Sequence, residues 1–224
     1  MKRSISKSIK FSLFYFIFII FTQFTYGATE NESWTKISFE KKISSNLKIE
    51  LSQGLRLNEK IENIKLAFFE GSILYKVSNG IKIGIPYRYT ILDDKIKHRL
   101  SLEGSYQLSY KYLRFKSRLE YYRIYSNGDF QAEDGTNLGD LFRNKFTIKL
   151  KTEKKIQPYI STELFFLYNT GNNSFDEYRT SCGLEIDLPK KKSINLFYLL
   201  KKEGISSSNQ NEVNIFGLSY VSNI

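Results

Sequence analysis

Cysteine, histidine and proline are almost missing from this 224-residue chain, which has one Cys, one His and three Pro. A single Cys, Cys182, can form no internal disulfide. It lies on an apolar parity and reads as a small packed hydrophobe. One His and one Cys cannot build a structural zinc site. Scarce Pro leaves few interruptions in a β ladder. Beyond residue 24 no apolar run approaches the roughly 20 residues a membrane helix needs. No catalytic residue, metal ligand or cofactor is assigned.

Aromatics are abundant, with 18 Phe and 16 Tyr, and they suit a pleated surface rather than a disordered chain. The opening MKRSISKSIK holds four basic residues. An apolar run over residues 11–24 follows, then Thr25-Tyr26-Gly27. This is the pattern of a secretory leader, so residues 1–27 are expected to be a signal peptide and 28–224 a single exported domain. Removing the leader's four basic residues from the formal net charge of +11 leaves +7. An exported chain without a membrane helix either remains soluble or enters a membrane as a closed barrel.

Strict alternation decides between folds. In residues 142–168, Phe142, Phe146, Ile148 and Leu150 share one parity, and Arg143, Lys145, Thr147 and Lys149 the other. A strand sends these sets to opposite faces. The same pattern recurs over nearly the whole chain. Short connections near 43–46, 78–80, 111, 152–155 and 189–192 gather lysines; longer ones between them hold much of the loop Asp and Asn. Outer-membrane barrels have short periplasmic turns and long outer loops. The expected fold is therefore all-β, an antiparallel up-and-down transmembrane β-barrel. Eleven segments alternate this way. Counting from Leu47 gives ten, with both ends on the short-turn side, so about ten strands are expected. Twelve is the second choice, with residues 34–42 pairing a further strand.

In such a barrel the polar parity faces the lumen. Its candidate lining residues are Glu70, Arg88, Arg99, Glu103, Arg114, Arg118, Glu120, Arg143, Glu163, Arg179 and Glu185. Hairpin register sets Glu70 opposite Arg88, Glu103 diagonal to Arg118, and, if Lys151 pairs with Lys155, Arg143 opposite Glu163 and Phe146 opposite Ile160.

The ordered segments ESWTKISFEKKI, HRLSLEGSY, KSRLEYYR, FRNKFTIKL, YISTELFF and EYRTSCGLE resemble bacterial outer-membrane β-barrel proteins grouped in a family of unknown function, with a Trp-led first strand and Arg/Glu-lined strands. The resemblance covers most of the mature chain. It implies residence in the cell outer membrane, contact with outer-membrane lipid and assembly machinery, and no known reaction. The chain departs from many outer-membrane proteins in ending Tyr220-Val221-Ser222-Asn223-Ile224 instead of on an aromatic residue.

Function is narrowed less than fold. The expectation is either a closed structural barrel with external loops or a narrow pore for small solutes, anions among them, since basic residues are in excess. The alternative is a soluble periplasmic lipocalin-like barrel with its apolar parity inside, around an apolar ligand. An outer-membrane lipid hydrolase would need a His and Ser together; His98 and Ser101 lie on opposite parities. Asp129, Glu133, Asp134 and Asp140, in the longest loop, offer oxygen ligands without the spacing of a calcium loop. The export signal and the scatter of lysines among turns argue against nucleic-acid binding.

Overall fold

The computed structural model describes residues 30–58, 63–92, 95–126, 129–130, 140–152, 155–168, 174–206 and 210–224. Residues 1–27, expected as a leader, and Glu133 and Asp134 lie outside these residues. Twelve strands follow in order: β1 (Glu30–Lys42), β2 (Leu47–Leu57), β3 (Ile64–Ser78), β4 (Ile81–Leu92), β5 (Lys95–Tyr110), β6 (Leu113–Ser126), β7 (Asp129–Phe130), β8 (Asp140–Leu150), β9 (Ile156–Tyr168), β10 (Ser174–Leu188), β11 (Lys192–Glu203) and β12 (Asn211–Asn223). β7 is a two-residue spur on β6. The other eleven close into a barrel in which β5 pairs with β6, β6 with β8, and β1 with β12.

The count of ten is thereby corrected to eleven, and residues 34–42 are wall, not an addition. The reason is the seam. β1 and β12 pair in parallel, from Glu30↔Val213 to Glu40↔Asn223, while every other wall pairing is antiparallel. A parallel seam permits an odd number of strands, because the first strand starts at the long-loop end and the last finishes at the short-turn end. Glu30 and Asn223 therefore lie at opposite ends of the barrel. Strands also run further into the connections than expected. Lys95 to Lys97 belong to β5, and Asp140 opens β8.

Two of the three predicted registers hold. Glu70 pairs with Arg88, and pairing Tyr110 with Leu113 leaves Glu103 diagonal to Arg118. The β8–β9 hairpin is two positions off: Lys145 faces Glu163, and Ile148, not Phe146, faces Ile160. The turn sits one residue later than expected, closed by the Thr152 hydroxyl donating to the Ile156 carbonyl at 2.5 Å. At Asn79-Gly80 the φ of +89° for Gly80 fits the hairpin turn expected there. Pro86 lies inside β4. Its missing N–H leaves a gap in the β4–β5 ladder, which pairs Gly84 with Glu103 and then resumes only at Tyr87 with Leu100.

The apolar parity faces outward. Leu51, Ile73, Leu102, Ile160 and Phe216 are each more than half exposed. The charged parity faces inward: Arg99, Glu120, Glu163 and Arg179 are all buried. A ligand-holding lipocalin-like barrel has the reverse arrangement. Among the described residues no helix is long and apolar enough to cross a membrane, which leaves crossing by strands open.

Candidate functional site: a tiered lumen

The inward side chains form tiers, and the strand order explains them. Each strand delivers one inward residue per two positions, so residues at equal height on neighbouring strands meet around the lumen.

The middle tier is a belt of alternating charge. Glu70 of β3 accepts from Arg88 Nε of β4 at 2.7 Å and from Arg99 Nη2 of β5 at 3.2 Å. Arg99 reaches on to Glu120 of β6 at 3.7 Å. Arg143 of β8 donates to Glu120 at 3.3 Å and to Glu163 of β9 at 2.6 Å. Lys145 completes Glu163 at 2.5 Å. On β10, Arg179 pairs with Glu177, and Lys149 pairs with Glu185 nearer the short turns. Arg118 approaches Glu103 only to 3.9 Å. Glu70 and Glu120 each touch cations from two strands, and Glu163 joins β9 to β8 through both Arg143 and Lys145, which ties neighbouring strands in register.

Above the belt, toward the long loops, the lumen turns apolar. Leu66, Phe68, Tyr122, Leu141, Phe165 and Leu199 are buried there. Uniform polarity along the inward parity was expected, so this tier is a correction. The guanidinium groups sit where belt and apolar tier meet. Arg88 lies 4.0 Å from the Phe68 ring centre, Arg99 5.0 Å from Tyr122, Arg179 4.5 Å from Phe165 and Arg56 3.9 Å from Trp34. This answers why the mid-lumen cations are Arg while the short-turn end is rich in Lys. A planar guanidinium stacks on a ring and still forks to a carboxylate, which an ammonium cannot do. Close backbone helps one ring fit: a Cβ on Gly217 would stand 1.9 Å from the Phe197 ring.

At the long-loop mouth a second network missed in the sequence surrounds Glu32. It accepts from Trp34 Nε1 at 2.6 Å and Lys65 Nζ at 2.7 Å, and Lys201 stands 3.8 Å away. Glu32 lies in β1 just ahead of residues 34–42, the first segment recognised by alternation. Glu177 shares the inward parity of Arg179 but lies before Tyr178, where the alternation begins in the sequence; a bulge between Phe175 and Glu177 interrupts the pairing just ahead of it.

Of the eleven residues chosen from sequence, Glu70, Arg88, Arg99, Glu103, Arg118, Glu120, Arg143, Glu163 and Arg179 line one cavity of about 870 Å³. Glu185, paired with Lys149, is not among the lining residues. Arg114 shares the inward parity at the short-turn end. The cavity runs lengthwise, from Glu40 and Lys48 near the short turns to Asp176 and Glu203 near the long loops. On the outer face, His98 bonds the Tyr87 hydroxyl at 2.7 Å through Nδ1, away from inward, buried Ser101. Asp140 is engaged by Arg123 at 2.6 and 3.0 Å, and the described residues contain no cluster suited to a metal.

The architecture is a closed, mostly antiparallel barrel with an apolar exterior and a charged interior. The chain belongs to the family described as "Protein of unknown function (DUF2490)", whose model matches residues 31–212. No curated protein matches the sequence. Among solved structures it is similar to a chain described as "Bacterial polysaccharide outer membrane secretin", with 13% identity, a TM-score of 0.46, and coverage of 75% of this chain and 72% of that one.

Proposed function

We propose that the protein is an outer-membrane barrel acting as a narrow, water-filled pore for small hydrophilic solutes, with no reaction of its own. The observation that carries this is the lengthwise cavity, about 870 Å³ and lined by residues from both ends of the barrel. That volume holds on the order of tens of waters. Eleven strands enclose more space than the eight-stranded barrel that side chains can fill. The outward apolar side chains, on strands of 11 to 16 residues, match a wall that meets lipid. Lysines at the short turns, Lys190, Lys191 and Lys192 among them, suit anionic headgroups of an inner leaflet. Outer-membrane lipid and the barrel assembly machinery are the partners this location requires.

A closed structural barrel is the second reading. It is favoured by the way guanidinium groups and rings crowd the middle of the lumen. Conductance separates the two. The purified, folded full chain in a planar lipid bilayer should give discrete current steps in potassium chloride. A barrel that migrates as folded on a gel yet passes no current would overturn the pore and leave the closed wall.

A further inference from the structure

In the short-turn half of the lumen Lys36 pairs with Glu50 and Lys48 with Glu40, but the β4–β6 side of that half carries cations without such partners. Lys82 of β4 and Lys116 of β6 line the cavity and are exposed within it. Neither has a carboxylate within salt-bridge reach among the described residues. Arg114, one inward position below Lys116, has its Nε buried with no hydrogen-bond partner. Register sets Lys82 level with Arg118 and Lys145, and Lys116 one inward position below Arg118. Lys82 faces Ser105, Ser105 faces Arg118, and Arg118 faces Lys145 across β4, β5, β6 and β8. Lys116 lies close enough to Lys82, Arg118, Lys145 and Glu103 to feel the charge of each. The carboxylate nearby, Glu103, is held loosely by Arg118 at 3.9 Å. Glu163 is already shared by Arg143 and Lys145. Elsewhere around the lumen the lining includes the neutral polar groups of Tyr159, Asn195 and Ser219.

Like charges crowded on one wall and left without protein counter-charges repel each other, and a counter-ion entering from water relieves that repulsion. The lining also offers hydroxyl and amide groups that can share hydrogen bonds with an oxyanion. We infer that Lys82 and Lys116, beside the Arg118–Lys145 row, form an anion-binding site in the short-turn half of the lumen, taking a small multivalent oxyanion of the phosphate or carboxylate kind. The inference deepens the pore reading by naming the solute class, but the site does not depend on the lumen conducting.

The test is calorimetric titration of inorganic phosphate, and separately citrate, into the folded full chain in detergent. Wild type should bind saturably. Lys82→Gln/Lys116→Gln should weaken binding about tenfold or more, the scale of lost charge-assisted hydrogen bonds. Lys82→Arg/Lys116→Arg should retain it. Glu103→Gln should tighten it several-fold, because a competing carboxylate is gone. Heat-modifiable migration certifies that each variant is folded. Absent binding by wild type, or equal binding by the Gln pair, overturns the site. A folded barrel that binds phosphate but passes no current keeps the site and overturns the pore; one that conducts but binds neither anion does the reverse.

Discussion

Replacing Glu163 with Gln keeps the shape of a side chain at the centre of the belt and removes its charge. Arg143 places Nε at 2.9 Å and Nη2 at 2.6 Å from one oxygen of Glu163, and Lys145 Nζ sits 2.5 Å from the other. The Glu163 side chain is only 4% exposed, Arg143 14% and Lys145 29%. After the change Arg143 keeps Glu120, while Lys145 loses its carboxylate. Removing one partner of a buried ion pair costs about 3–5 kcal/mol. Lumen water reaching Lys145 places this case near the lower figure, so a loss of about 3 kcal/mol is expected. The control is Glu212→Gln. Its pair with Lys202 is equally short, 2.6 Å, but 26–30% exposed, and a solvated pair contributes little. Both variants should be refolded into vesicles and unfolded in urea, with fluorescence of the single Trp as the signal. The Glu163 deficit should persist in high salt, whereas that of Glu212 should fade. Equal, small losses from the two variants would refute a desolvated belt.

Three further outcomes follow from the same geometry. Leu102 is 58% exposed in the middle of β5; Leu102→Arg should cost about 2–4 kcal/mol in a bilayer, and an unchanged urea midpoint would show that this face does not meet lipid. Gly217→Val must displace the Phe197 ring, which lies 1.9 Å from the added Cβ, so the folded fraction on an unboiled gel should fall, with overpacking of about 1–3 kcal/mol. Lys190 and Lys191 hold φ of +60° and +55° in the β10–β11 turn, a conformation that suits Asn-Gly; Lys190→Asn/Lys191→Gly should stabilise the barrel by about 1 kcal/mol, read as a higher urea midpoint.

What the sequence disclosed was whatever obeys a period of two. Strand identity, the outward Leu and Ile, the inward Glu70–Arg88 contact and the lining role of Arg99, Glu120 and Arg143 all come from parity plus hairpin geometry. Parity is blind to height within the wall, and the errors gather there. The apolar tier had a signal that alternation hides: Phe68-Phe69, Tyr121-Tyr122, Phe165-Phe166 and Leu199-Leu200 put apolar residues on both faces, all toward the long loops. The β8–β9 register depended on one turn residue, and Phe175 to Glu177 on a bulge, neither of which leaves a parity mark. The seam was hardest. Pairing β1 with β12 joins residues some 180 positions apart, and nothing local in residues 30–42 says that their partner runs parallel. Glu32, Trp34 and Lys36 were lost from the candidate site with it.

Location is the claim on which the rest depends. The full chain should be expressed, outer membranes separated from periplasm, and the protein run on gels with and without boiling. The protein should fractionate with outer membranes and change mobility on boiling, as a folded wall with lipid outside and charge inside would. Recovery as a soluble periplasmic protein would contradict that location.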